Sequence, residues 1–154
     1  MKKMTAATEN DYKLLAQQAK ALVEGESDWI ANTANLSALL FHSLKNINFA
    51  GVYRFENGEL ILGPFQGMPA CVHIQVGKGV CGTVAQTKKT QIVANVHEFA
   101  GHIACDSASN SEIVVPIFKK NEFWGVFDFD STELNNFDKI DEKYLSEVAA
   151  TIFA

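Results

Sequence analysis

The sequence predicts an α+β domain with a central antiparallel β-sheet whose N- and C-terminal helices pack on one face. Three observations carry that prediction. Apolar residues recur at helical spacing near both ends of the chain, and the middle is dominated by segments of period two joined by hairpin signals. Strands and helices do not alternate regularly, as a parallel sheet with crossover helices would require.

Residues 11 to 23 place Leu14, Leu15, Ala19 and Leu22 on one helical stripe, and Gly25 follows as a stop. The residues before them, 1–10, read as a poorly ordered N-terminal extension. Ser27 or Asp28 is suited to cap a second helix that runs to about Lys45 and carries Ile30, Ala34, Leu40, Phe41 and Leu44. The period then changes to two: Phe49 to Phe55 is a strand, Asn57-Gly58 a hairpin turn, and Glu59 to Leu62 the returning strand. The stretch from Gly63 to Pro69 is expected to interrupt pairing. Val72 to Val76 alternates as a strand, and Val80 to Lys88 makes a short helix bearing Cys81. Thr90 to Ala94 is a brief strand, followed by an irregular connection from Asn95 to Ser111. Loops of that length in a compact domain are usually functional. Glu112 to Phe118 and Glu122 to Asp130 form a hairpin about Lys119-Lys120-Asn121, and Phe137 to Phe153 closes the chain as a helix with Ile140, Tyr144, Val148 and Ile152 inward. No repeat, linker or low-complexity tract divides the 154 residues, so they read as one domain.

An apolar fraction of 47% is enough for a core without disulfide scaffolding. An odd count of three cysteines, no signal-peptide pattern and no apolar run near twenty residues point to a cytoplasmic chain that neither enters a membrane nor is secreted. A formal charge of -5 with no basic cluster argues against nucleic acid as a partner.

The chemistry is expected in the middle. Cys71, Cys81 and Cys105 fall there, and Cys105 lies in a polar loop, where a thiolate is more reachable than inside a strand or helix. His73, His97 and His102 are interleaved with them, but no Cys-x2-Cys or His-x3-His pair gives the spacing of a familiar zinc site. The His97, His102 and Cys105 run is the candidate ligand set for that competing reading. A three-residue hairpin loop at 119–121 would set Glu112 opposite Asp128, with Asp130 further along the same face. Opposed carboxylates in apolar surroundings share protons at neutral pH, which makes them candidates for general acids.

Gly63-Pro64-Phe65-Gln66-Gly67, Gly77-Lys78-Gly79-Val80-Cys81-Gly82-Thr83, Gly101-His102-Ile103-Ala104-Cys105-Asp106, Ser109-Asn110-Ser111-Glu112 and Gly125-Val126-Phe127-Asp128-Phe129-Asp130 together resemble the free methionine-(R)-sulfoxide reductases, which are single GAF domains. The resemblance covers nearly the whole chain and implies one GAF domain over 1–154, usually a homodimer, with no metal or organic cofactor. It implies Cys105 as nucleophile, Cys71 as its disulfide partner and Cys81 as a second recycling thiol. Glu112, Asp128 and Asp130 would bind and protonate the sulfoxide oxygen. Phe49, where the family more commonly has tryptophan, and Tyr53 would line the pocket for the methyl-sulfur end. Free methionine-(R)-sulfoxide is then the substrate and thioredoxin the reductant. The alternative is a non-catalytic GAF sensor that binds a small molecule or switches by thiol oxidation. A chain that ends close to its last helix, without an output module, weighs against that sensor.

Overall fold

The computed structural model describes residues 6–103, 105 and 107–154, and it has the α+β architecture that the sequence predicts. Helix α1 spans Glu9–Val23 and begins in a capping box: the Thr8 side chain accepts from the Asp11 amide while Asp11 accepts from the Thr8 amide. Ala6 and Ala7 are buried, so the described part of the expected N-terminal extension belongs to the domain, while residues 1–5 lie outside the described residues. Tyr12, Leu15, Ala19 and Val23 face inward. Leu14 and Leu22 do not; they are 58% and 43% exposed, because tertiary packing selects the stripe that starts at Tyr12. Asp28 caps α2, Trp29–Ser43, by accepting from the amides of Ile30 and Ala31. Its inward face is Asn32, Thr33, Leu36, Ser37 and Leu40, and Ile30 points outward.

Six strands follow: β1 Ile47–Glu56, β2 Glu59–Gly67, β3 His73–Gln75, β4 Gln91–Val93, β5 Ser111–Lys119 and β6 Glu122–Ser131. They form one sheet in the order β3-β2-β1-β6-β5-β4, every pair antiparallel. Strand β2 runs five residues beyond the expected end at Leu62, because a bulge between Gly51 and Tyr53 lets it continue to Gly67. Helix α3, Gly79–Thr87, lies between β3 and β4, and α4, Lys139–Thr151, closes the fold. Tyr144, Leu145, Val148 and Ala149 of α4 are buried, whereas Ile140 at its first turn is partly exposed.

The sheet separates two cores. Ala50, Val52, Ile113, Val115, Phe127 and Phe129 pack against α1, α2 and α4. On the other face Tyr53, Val114 and Val126 pack with Leu60, Ile74 and the α3 residues Val80, Val84 and Ala85. Fully burying one such Val, Leu or Phe side chain stabilises by about 1.5–3 kcal/mol. The terminal helices therefore take one face, and the opposite face is left for α3 and the long loops. Among the described residues no helix is long and apolar enough to cross a membrane.

The hairpin between β5 and β6 departs from the expected register. Its turn has two central residues, Lys120 and Asn121, both at positive φ (50° and 66°), the backbone of a tight hairpin of primed type. That change alone would have set Glu112 opposite Phe129 and turned the acids apart. A bulge between Ile117 and Phe118, opposite Trp124 and Gly125, restores the parity. Trp124 consequently lies on the helix face against Trp29 and Phe153, while Val126 and Asp128 lie on the other. Glu112 pairs with Asp130, and Val114 with Asp128, so Glu112 is diagonal to Asp128 rather than opposite it. All three carboxylates still share one face.

Candidate active site

Each acid is placed by a strand on the face away from the terminal helices. Glu112 comes from β5, Asp128 and Asp130 from β6, and the cross-strand neighbours on β1 are Gly51 beside Asp128 and Phe49 beside Asp130. Tyr53 follows on the same face, opposite Val126. Phe49 is buried and stacks on Phe65, with ring centroids 5.4 Å apart. Helix α3 brings Cys81 over this face in its first turn. Its approach requires Gly82: a Cβ there would lie 2.4 Å from the Gln75 carbonyl oxygen, so a larger residue would lift α3 off the turn that precedes it.

The connection from residue 95 to 110 is anchored at both ends. The Val96 amide donates to the Asn110 carbonyl at 2.9 Å, and Asn48 Nδ2 donates to Ser109 Oγ at 3.0 Å. In between, the Gly79 amide donates to the Gly101 carbonyl at 3.0 Å, and Ile103 rests on Gly79. These ties hold Cys105 at the mouth of a cavity of about 40 Å³. Its floor is Glu112, Asp128 and Asp130, and its walls include Phe49, Tyr53 and Cys81. The residues singled out in the sequence thus meet in one place, with Cys105 on the same side of the sheet as the acids. Cys71, just before β3, is bonded to Cys105 with their Cα atoms 5.4 Å apart, and Cys81 is the free thiol. Ala104 and Asp106 of the Gly-His-Ile-Ala-Cys-Asp block lie outside the described residues.

Burial dominates the electrostatics. The Glu112 carboxyl is raised well above the ordinary carboxylate range, first by burial and then by the charge of Asp128. Asp128 is raised by burial and by Asp130, and hydrogen bonds from Glu112 and Cys81 only partly offset this. One oxygen of Asp128, Oδ1, is buried and has no hydrogen-bond partner among the described residues. The Cys81 thiol is pushed up by burial and by Asp128 and Glu112, and the Tyr53 hydroxyl by burial, Cys81 and the acids. Such a cluster carries fewer negative charges than its three carboxylates would in water, and it is suited to donate a proton into the cavity.

The histidines are placed differently from the acids. His97 Nε2 lies 3.0 Å from Asn110 Oδ1, its ring meets that of His102 at 6.0 Å, and burial holds the His102 imidazole below its ordinary value. His73 pairs with Glu59 on the sheet edge at 2.8 Å. Among the described residues, metal-ligand spacing falls on Cys81, Glu112 and Asp128 and not on the His97, His102 and Cys105 run. Sequence reasoning did not single out Val80, Ile103 or Ser109 as parts of the cavity wall. The signal for the first two was the glycine spacing 77, 79 and 82, which requires a helix start pressed close to its neighbours.

The sequence and the fold are both shared with known proteins. The GAF domain family matches residues 32–153. The chain is 49% identical over 141 residues to the free methionine-R-sulfoxide reductase of Escherichia coli, covering 92% of this chain and 86% of that one. It is 52% identical over 154 residues to protein YtsP of Bacillus subtilis, covering 99% and 94%. The structure of fRMsr of Staphylococcus aureus in complex with substrate superposes with a TM-score of 0.90 at 51% identity, covering 97% of each chain.

Proposed function

Because the chain belongs to the GAF-domain family of free methionine-(R)-sulfoxide reductases, we propose that it reduces free L-methionine-(R)-sulfoxide to methionine, with its own thiols as the electron source. The observation that carries this reading is the convergence, in one small cavity, of a cysteine pair able to form a disulfide with an acid cluster in which burial raises the Glu112 and Asp128 carboxyls above the ordinary range.

Sulfoxide oxygen leaves poorly until it is protonated, so the acid cluster receives it while the Cys105 thiolate attacks sulfur. The bond from Cys105 to the substrate sulfur forms as the protonated oxygen leaves as water; a water then attacks the Cys105 sulfur, that sulfur–sulfur bond breaks, methionine departs with the electron pair, and Cys105 is left as a sulfenic acid. The Cys71 thiol attacks that sulfenic sulfur, water leaves, and the Cys71–Cys105 disulfide forms, which is the bond present in the structure. An external dithiol then exchanges with this disulfide and restores both thiols. Thioredoxin is the proposed reductant, the cytoplasm the proposed compartment and a homodimer the proposed assembly. In this scheme Phe49 and Tyr53 hold the methyl-sulfur end; both are buried, Phe49 lies opposite Asp130, and both line the cavity with the acids, which supports that role. The long loops beside the cavity would exclude a continuing peptide chain.

A stereospecific assay with free (R) and (S) sulfoxides beside an N-blocked substrate tests the reading. Turnover of the free (R) isomer alone is expected. Tight binding of a small molecule without turnover of any sulfoxide would replace it with the sensor.

A further inference from the structure

We propose that Cys81, Glu112 and Asp128 form a binding site for a thiophilic divalent cation of the zinc and cadmium class, and that this cation competes with substrate for the acid side of the cavity. The competition clause rests on the reductase reading; the binding site does not.

The three side chains come from α3, β5 and β6, and their ligand atoms, one sulfur and two carboxylate oxygens, all lie within 4.8 Å of one another. All three residues are buried, at 5%, 8% and 4% exposure. Asp128 Oδ1 points to a ligand independently: it is buried, lacks a hydrogen-bond partner among the described residues and belongs to a residue of the cavity floor. Zinc bonds of about 2.0–2.3 Å in a tetrahedron set ligand atoms roughly 3.5 Å apart, so the trio must close by about 1 Å, within reach of side-chain rotation. The cavity of about 40 Å³ has room for an ion and a water as fourth ligand, since one water needs about 10–15 Å³.

The donor set selects the class of ion. Calcium and magnesium take six or more oxygens, whereas one thiolate with two carboxylates suits a borderline or soft cation. On binding, the Cys81 S–H bond gives its proton to solvent as the metal–sulfur bond forms, and no electrons are transferred. The cation's charge replaces protons that otherwise keep the buried cluster from carrying full negative charge. Because Cys71 and Cys105 supply no ligand, the site does not require the redox pair to be reduced. No familiar zinc spacing marks it in the sequence, since its ligands are 31 and 16 residues apart along the chain.

The protein oxidised to its Cys71–Cys105 form keeps Cys81 as its free thiol, so cadmium titration of that form reads this site through the ultraviolet charge-transfer band of a cadmium–thiolate bond. One cadmium per chain is expected, with the band lost in Cys81→Ser and affinity weakened at least tenfold in Asp128→Asn and in Glu112→Gln, both of which keep the thiol. No band in the oxidised wild type, or one unchanged in both acid variants, would overturn the site. Zinc should then raise the apparent KM for the (R) sulfoxide at constant kcat in the reduced enzyme. Cadmium binding without that rise would remove the competition clause alone, and metal-free enzyme inactive on every sulfoxide would remove the reductase reading while leaving the site.

Discussion

At the scale of single residues, the division of labour between sulfur and carboxyl makes separable predictions. Cys105→Ser should abolish methionine release. Cys71→Ser should still release close to one methionine per chain in a single turnover without reductant, because its nucleophile is intact and only the resolving thiol is missing. Glu112→Gln or Asp128→Asn, which cannot donate a carboxylic proton, should slow that single turnover by about 100-fold or more. Their raised pKa values set the sign of the pH dependence: the acids hold protons above the ordinary carboxylate range, and the rate should fall as pH rises through those values. Rapid-quench measurement of methionine between weakly acidic and alkaline pH checks both. Full activity in both amide variants would end the acid assignment, and a rate that climbs steadily with pH would show that thiolate formation, not protonation of oxygen, limits the step.

At the scale of elements, the β5–β6 hairpin shows what was legible and what was not. The two strands, their turn and the shared face of Glu112, Asp128 and Asp130 follow from alternation in the sequence. The register does not, because loop length and bulge are independent choices and each shifts pairing by one residue. The two shifts add to two residues, which moves the partner of Glu112 from Asp128 to Asp130 but keeps the acids on one face. The helix stripes were misassigned at Leu14, Leu22 and Ile30 for a related reason: several apolar rows compete on an amphipathic helix, and the sheet decides which is buried. The bulge has a specific support in Gly125, where a Cβ would fall 2.1 Å from the Tyr53 carbonyl oxygen. Gly125→Ala should therefore destabilise the fold by roughly 1–3 kcal/mol and lower activity as the β1–β6 spacing opens beneath Asp128. Urea unfolding and the same single-turnover assay measure the two effects. A variant equal to wild type in both would show that the strands have slack at this crossing. The type of turn makes a converse prediction: converting Lys120-Asn121 to Asn-Gly, which adopts positive φ at lower cost, should raise stability by up to about 1 kcal/mol without touching the site.

At the scale of the whole molecule, the acid cluster couples the chemistry of the site to the stability of the fold. Glu112 and Asp128 have native pKa values raised above those of the unfolded chain, near 4.5 and 3.8. Between the unfolded and native values the native state therefore binds more protons than the unfolded state. By linkage, their contribution to stability is fully present below the unfolded values and is lost as pH rises through the native ones, by as much as about 1.4 kcal/mol per pH unit for each proton. Exposed carboxylates with favourable partners, such as Asp11 in the α1 capping box, push the other way at low pH. The difference between wild type and Glu112→Gln isolates the cluster, since the amide cannot titrate and the other groups are common to both. In urea titrations from pH 5 to pH 9, a window of about four units above the ordinary carboxylate range, wild type should lose stability relative to Glu112→Gln as pH rises. A constant difference across that window would mean that the buried acids are already ionised in the folded protein, and the proton that the sulfoxide oxygen requires would have to come from elsewhere.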